Sequence, residues 1–598
     1  MQSWSPEKLA LAMKHVENVT DNPHFPSLKA LVGPGLSLSL KEGEYTLTCE
    51  DMSSLCRGLF LLQESERQGQ NLLATPQTRH FSHVGVMLDM SRNAVMKPEA
   101  VCAFIDRMAC LGMNMLMLYT EDTYTVKGYP TFGYLRGRYT IDEMKSMDAY
   151  AMEVGVELVP CIQTLAHLKT FLAWDSSAVL RDQMDILLID EPETEKLIRA
   201  MIATLRECFH SRRIHIGMDE AHAVGLGAWR AKHGETDRFA LLSRHLNLVS
   251  SICREYDFAP MMWSDMFFRL GSRHGEYYDR NAEIPQSVID TLPDVGMVYW
   301  DYYHTDESMY DHMLTQHERM GTPIFAGGIW TWSGFVPHIV RTRATTVPAL
   351  RVCARHQVDT VFATLWGDDG GETDYSMALS QFAYLSEYCW RGEDASESDI
   401  RALGSRISGL ESVYEDVYAD FYPGDMNHFI GKKLVWADPL LPLACLDQET
   451  LQKARDKAAH ALSLLLDVRD CDVKSYLQAL FTVVSGKAAL LASVRDAYIQ
   501  KDRDALECCL KTVRALQGQY RALHDAHRTL WNHQCKRFGF ELLAARYGGA
   551  IQRLSDVAKD MEAHLEGSLS QIEELEATPL PEDPGYAYRR LITAGQEW

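Results

Sequence analysis

Two carboxylates stand side by side at Asp219-Glu220, one residue beyond the apolar stretch Ile214–Gly217. Adjacent acids leaving a strand cannot both be comfortable as buried anions. Their surroundings must push the two pKa values apart, so that one stays ionised while its neighbour stays protonated as a proton donor. A plainer reading also exists for an isolated pair, with Asp219 capping a helix that starts near Ala221. It accounts for neither Arg92 nor the aromatic residues that recur at comparable places. Apolar stretches also run into Glu121-Asp122, Gln163 to His167, Trp263-Ser264-Asp265, Trp300-Asp301-Tyr302-Tyr303 and Trp366-Gly367-Asp368-Asp369, and another leads to Trp330 and Trp332. Tryptophans around acids make an apolar box with polar prongs. That suits a sugar, whose ring faces present C–H groups and whose edge presents hydroxyls.

These residues need a frame that brings many strand ends together. From Phe81 to about Trp390 a short apolar strand, a loop and an amphipathic helix alternate. The strands are expected at Val84–Asp89, Asn114–Tyr119, Glu157–Ile162, Ile214–Gly217, Pro260–Ser264, Met297–Asp301, Pro323–Ala326 and Thr360–Trp366. This repetition predicts the α/β class and a (β/α)8 barrel over residues 81–392, with the chemistry at the C-terminal ends of its strands; a doubly wound open sheet is the alternative. Residues 1–80 read as a small N-terminal α/β domain with a hairpin around Glu42-Gly43. Residues 393–598 lose the strand signal and read as a C-terminal all-helical domain, with helices over Ser396–Tyr418, Gln448–Val468, Val473–Gln500, Arg503–Gln534 and Tyr547–Leu565. The Pro423-Gly424 turn, Pro439 and Pro442 are expected to separate the first two helices, and an irregular tail is expected around Pro579, Pro581 and Pro584.

Composition narrows the partners. The chain has 598 residues and a net charge of −23, which disfavours nucleic acid and favours a neutral or small partner. No apolar run reaches the about 20 residues of a membrane helix, and the start lacks the layout of a secretory signal, so a cytoplasmic protein without a membrane span is expected. The 14 cysteines are scattered without a C-x-x-C pair and read as reduced thiols. His215, Asp219 and His222 could suggest a metal, but no histidine cluster complements them at the other strand ends, so no metal and no cofactor is expected. His215 alone reads as a hydrogen-bonded core residue, and His167 as either structural or substrate-facing.

Several motifs together resemble glycoside hydrolase family 20, the β-N-acetylhexosaminidases, and in particular its hexosaminidase D-like branch. His215-Ile216-Gly217-Met218-Asp219-Glu220 is similar to the family's H-x-G-x-D-E motif, and Leu88-Asp89-Met90-Ser91-Arg92 to its arginine-bearing first strand. Tyr119 to Asp122, Ile162 to His167 and Trp366-Gly367-Asp368 also look like it, in the family's order over roughly residues 80–390. The resemblance implies exo-acting, retaining hydrolysis of terminal β-GlcNAc or β-GalNAc, with the substrate's own acetamido oxygen as nucleophile, an exception to the usual pair of enzyme carboxylates. By this analogy Glu220 is the general acid and base, and Asp219 orients the acetamido group. Tyr302 or Tyr303 donates to its oxygen, and Arg92 holds O3 and O4. Trp366 with Asp368 reaches O4 or O6, and Trp263, Trp300 and Trp332 wall the pocket. Many members carry glutamate where this chain has Asp368, and Glu372 is close enough in sequence to take that contact. Glu121, Asp122, His167 and Trp330 complete the expected substrate-binding set.

Two other readings compete: a conventional two-carboxylate glycosidase, which would accept glucosides without the acetamido group, and a nonhydrolytic carbohydrate-binding barrel. The apolar stripe Leu510, Val513, Leu516, Tyr520, Leu523 and His527 must be covered, mostly by neighbouring helices. The further apolar cluster over 537–543 leads to the expectation of a homodimer.

Overall fold

The computed structural model describes residues 2–69, 71–422, 430–441 and 447–578, so the turns expected at Pro423-Gly424 and Pro442 and the tail from Pro579 lie outside the described residues. The N-terminal unit is a four-stranded sheet in the order β1 (Gln2–Ser3), β2 (Leu28–Val32), β4 (Glu44–Cys49), β3 (Leu36–Lys41). β3 and β4 form a hairpin closed by Glu42 and Gly43, both at positive φ, as a two-residue turn matched to strand twist requires. The helix Met52–Gln68 follows, started by an Asp51 capping box. Its Arg57 is fully buried, donates to the Leu111 carbonyl at 3.2 Å and pairs with Glu387 at 2.6 Å. Leu111 precedes a barrel strand, so this unit is fastened to the end of the barrel opposite the candidate site.

The barrel closes from β5 (His83–Asp89), β6 (Met115–Thr120), β7 (Glu157–Ile162), β8 (Arg213–His215), β9 (Ala259–Trp263), β10 (Gly296–Trp300), β11 (Pro323–Gly328) and β12 (Thr360–Leu365). All neighbours pair in parallel, β12 with β5 included, so the open-sheet alternative is excluded. Side chains alternate between two separate cores, as the two-residue strand period demands. Val86, Leu88, Leu116 and Leu118 face the surrounding helices. Met87, Met115, Met117, Val159, Cys161, Met261, Val298 and Phe362 fill the barrel interior and are continued upward by Tyr119, Trp263 and Trp366. The aromatic residues of the candidate site are thus the top layer of the inner core.

β8 is shorter than the expected Ile214–Gly217. Its chain leaves strand geometry because Gly217, Met218 and Glu220 all take positive φ. The helix expected over Ser396–Tyr418 is two helices, Glu397–Ser408 and Val413–Asp420, broken by Gly409 in a left-handed cap. The long helices Asp472–Ile499, Arg503–Gln534 and Phe540–Glu566 bundle together, and the stripe from Leu510 to His527 is buried among them. Asp472–Ile499 is long and apolar enough to cross a membrane, contrary to the sequence expectation. Its Tyr476, Leu477, Leu480, Phe481 and Val484 are buried in the bundle, the pattern of a core helix.

Candidate active site

A cavity of about 270 Å³ opens at the C-terminal ends of the barrel strands, close to the lower limit for small-molecule sites. Asp219 lies deep in it. Gln163 Nε2 donates to its Oδ1 at 2.6 Å, and His167 Nε2 sits 3.2 Å from its Oδ2. Gln163 is itself locked, touching the Tyr119 hydroxyl at 2.9 Å and accepting from the Met218 N–H at 3.2 Å. Burial opposes ionisation of Asp219, but His167 and Gln163 outweigh it and hold its pKa below the usual carboxylate value. The same exchange works in reverse on the imidazole: burial disfavours the charged ring, yet Asp219 carries His167 up to about 9. Asp219 and His167 therefore face each other as an ion pair at neutral pH.

Glu220 is the more open of the two acids, with 39% of its side chain exposed against 10% for Asp219. Its Oε2 lies 3.6 Å from the same His167 nitrogen. Its backbone N–H donates to Asp265 Oδ2 at 3.0 Å. Asp265 is fully buried, and burial together with the Asp219 charge raises its pKa well above the ordinary carboxylate value, so the charged form of this third carboxyl is disfavoured. The Tyr277 hydroxyl lies against Glu220 and 2.8 Å from His222 Nε2; burial first, then the Glu220 charge, raises its pKa. Left-handed backbone at His167, Met218 and Glu220 concentrates strain in two adjoining loops, a pattern that rigid functional sites sustain. Gly217 suits this position: it sits at φ 71°, and a Cβ there would lie 2.2 Å from Gln163 Oε1, so any side chain must displace Gln163.

Across the cavity Arg92 is sandwiched near Tyr119 and Trp366, its guanidinium 5.0 and 5.1 Å from their ring centres. Its Nη1 meets Asp89 Oδ2 at 3.1 Å, an oxygen that also accepts from the Gly367 N–H at 2.9 Å. One buried carboxylate thus aligns both Arg92 and the loop that bears Asp368. Trp263, Trp300, Trp332 and Trp366 form the walls, and Tyr303 stands half exposed at the rim. The Tyr302 hydroxyl accepts from Trp366 Nε1 at 3.0 Å while its ring stacks on Trp300 at 5.4 Å.

The structure brings Arg92, His167, Asp219, Glu220, Trp263, Trp300, Tyr302, Tyr303, Trp332, Trp366 and Asp368 to the cavity, but not the rest of the expected set. Trp330 stacks behind Trp332 at 4.5 Å and donates to the Tyr302 carbonyl, a support for the wall and not its surface. Glu121 stands behind Arg92, 3.6 Å from Nη2. Asp122 is buried against Arg136 at 3.4 Å. Glu372 is drawn away from the cavity by Lys432, Arg546 and Trp436. The helix cap at Asp219 is not formed, since the first helix after it begins only at Ala228. His215 is neutral core: it accepts from the Gly217 N–H, packs 4.3 Å from Trp263, and burial pushes it down to about 3. The sequence places Gln163 and Asp265 at strand ends without giving either a role, and it does not mark Tyr277. Gln163 and Asp265 follow strands β7 and β9, the position that marks them, whereas Tyr277 lies in a long loop with no sequence signal.

A closed parallel barrel with paired acids among tryptophans at its C-terminal rim has the layout of a barrel enzyme. Residues 81–284 match the family described as Glycosyl hydrolase family 20, catalytic domain, and residues 427–592 match the Glycoside Hydrolase 20C C-terminal domain. The chain belongs to glycoside hydrolase family 20. It is 26% identical to hexosaminidase D of Bos taurus over 196 residues, 31% of this chain and 55% of that protein. It is 26% identical to hexosaminidase D of Homo sapiens over 237 residues, 38% of this chain and 45% of that one. The chain thus spans about half the length of the curated relatives it matches. Its fold is similar to a family 20 β-N-acetylhexosaminidase from Streptomyces coelicolor A3(2), with TM-score 0.51, 16% identity, and coverage of 69% of this chain and 92% of that one. The exo β-N-acetylglucosaminidase from Vibrio harveyi, in complex with N-acetylglucosamine, superposes with TM-score 0.50 at 14% identity, over 68% of this chain and 73% of that one.

Proposed function

We propose that the chain is an exo-acting β-N-acetylhexosaminidase that removes terminal β-GlcNAc or β-GalNAc with retention, through an oxazolinium-type intermediate formed by the substrate. The observation that carries this reading is the different setting of the two adjacent acids. Asp219 is deep, ionised and fixed by Gln163 and His167, whereas Glu220 is open to the cavity. A fixed buried anion suits an acetamido N–H that must be oriented and a developing positive charge that must be stabilised. An exposed neighbour suits protonation of the leaving oxygen and then activation of water. Tyr302, inside the aromatic wall, is favoured over the rim residue Tyr303 as donor to the acetamido oxygen. Arg92 and Asp368 then face the hydroxyl edge of the sugar. Supporting this is the membership of family 20 together with the small walled cavity.

Turnover of aryl β-GlcNAc, β-GalNAc and β-glucose tests the reading. Cleavage of an acetamido sugar without cleavage of the glucoside is expected; efficient glucoside cleavage would favour the conventional two-carboxylate mechanism, and binding without cleavage the nonhydrolytic barrel. A thiazoline analogue of the intermediate should inhibit far more tightly than the product sugar. The proposal extends to a cytoplasmic homodimer; Phe538 and Leu542, exposed where the last long helix begins, support a contact through the C-terminal domain.

A further inference from the structure

The C-terminal domain grips the loop that follows β12, which runs from Trp366 to Glu372. That loop turns back on two glycines: Gly370 and Gly371 sit at φ 106° and 73°, and both N–H groups donate to the Gly367 carbonyl, at 2.9 and 2.8 Å. The helix Phe540–Glu566 presses on the turn so closely that a Cβ on Gly370 would lie 2.7 Å from Leu542 Cδ2. Lys432, on the helix Ile430–Trp436, places Nζ 2.6 Å from both Asp369 Oδ2 and Glu372 Oε2. Arg546 donates to the Asp369 carbonyl and meets Glu372 Oε1 at 3.3 Å. Trp436 Nε1 donates to that same oxygen at 2.7 Å. None of the four charged side chains is more than 10% exposed.

A buried cluster of this kind is a weak source of stability, because desolvation offsets its attraction, but it holds geometry tightly once formed. Asp368 lies between its two anchors. On one side the Gly367 N–H is tied to Asp89, which also aligns Arg92. On the other, Asp369 is tied to Lys432 and Arg546. We propose that Lys432, Arg546 and Glu372 are positioning residues for Asp368, so that the C-terminal domain is a working part of the sugar site. This rests on the glycosidase reading above.

The test is a charge-balanced double variant, Lys432→Met with Glu372→Gln, in the full chain. KM for aryl β-GlcNAc should rise roughly tenfold, the worth of one charged hydrogen bond misplaced, while kcat changes much less. The GlcNAc-to-GalNAc preference should shift with it, and Lys432→Arg should keep KM close to that of the unmodified chain. Loss of folded protein lowers apparent kcat but leaves KM and the epimer ratio alone. A folded double variant with lowered Tm and unchanged KM and ratio would therefore overturn the proposal. If the double variant does not fold, Arg546→Lys, which keeps the charge but shortens the reach to the Asp369 carbonyl, is read in the same way. If the unmodified chain cleaves no acetamido sugar, the glycosidase reading fails by itself. The positioning claim is then read from GlcNAc quenching of tryptophan fluorescence, where weaker binding by the variant supports it and equal binding, or no binding even by the unmodified chain, sinks it.

Discussion

At the scale of single residues, three carboxyls within one small volume carry three different settings. Glu220→Gln should lower turnover of substrates with poor leaving groups by roughly 10²–10⁴-fold while sparing activated aryl glycosides, because only the former need strong protonation. Equal losses on both would argue against Glu220 as the acid. Asp219→Asn should slow both classes, since on the proposed mechanism attack by the acetamido group precedes any benefit from the leaving group. Asp265→Asn should be milder, because an amide oxygen can still accept from the Glu220 N–H and burial already disfavours the charged form of Asp265. Steady-state rates for this pair of aspartate-to-asparagine variants would separate a working anion from a buried hydrogen-bond acceptor. The His167–Asp219 pair adds a pH signature. The His167 pKa is raised from 6.5 to about 9, so its contribution to stability is complete below 6.5 and is lost as pH rises through 9. Asp219 is lowered, so its contribution is lost only as pH falls below the ordinary carboxylate range. Melting temperature should therefore fall between pH 6.5 and beyond 9, and His167→Asn should flatten that decline.

At the scale of elements, catalytic geometry depends on the chain leaving β8 in a conformation most residues avoid. Gly217 provides the closest approach, and Met218 and Glu220 follow it into left-handed backbone. Gly217→Ala would have to displace Gln163, the residue that orients Asp219. It should cost about 1–3 kcal/mol in denaturant unfolding and lower kcat even in the folded fraction, because Asp219 loses its donor. Unchanged kcat per folded molecule would show that Gln163 can relax without disturbing the acid. The aromatic wall is an element property too: Trp263 and Trp366 sit on the inner-core columns of β9 and β12, so packing below the site fixes the walls above it.

At the scale of the whole molecule, the barrel is held at both ends. The N-terminal unit is fastened beneath it through Arg57 and Glu387, and the helical domain meets its rim through Lys432 and Arg546. Sedimentation of the full chain over the micromolar range is expected to show a two-fold dimer. A monomer throughout that range would remove the dimer proposal and leave the helical domain as a support for its own barrel, with the loop clamp unaffected.

The alternating strands and helices made the barrel legible, because a strand covered on both faces must be apolar throughout and each strand-to-helix loop must open on the same rim. The pair Asp219-Glu220, Arg92 and the tryptophans were legible for the same reason: a strand end in a closed barrel has one destination. Only the tertiary structure decided which nearby acids reach the cavity. Asp368 and Glu372 are four positions apart, yet a turn at Gly370-Gly371 and two cations from distant parts of the chain send the first to the candidate site and the second into a buried ion cluster. Gln163 and Asp265 likewise took their meaning from neighbours far away in sequence, since a side chain's charge state and orientation are set by what packs against it, and Lys432 lies where local periodicity carries no record of the barrel at all.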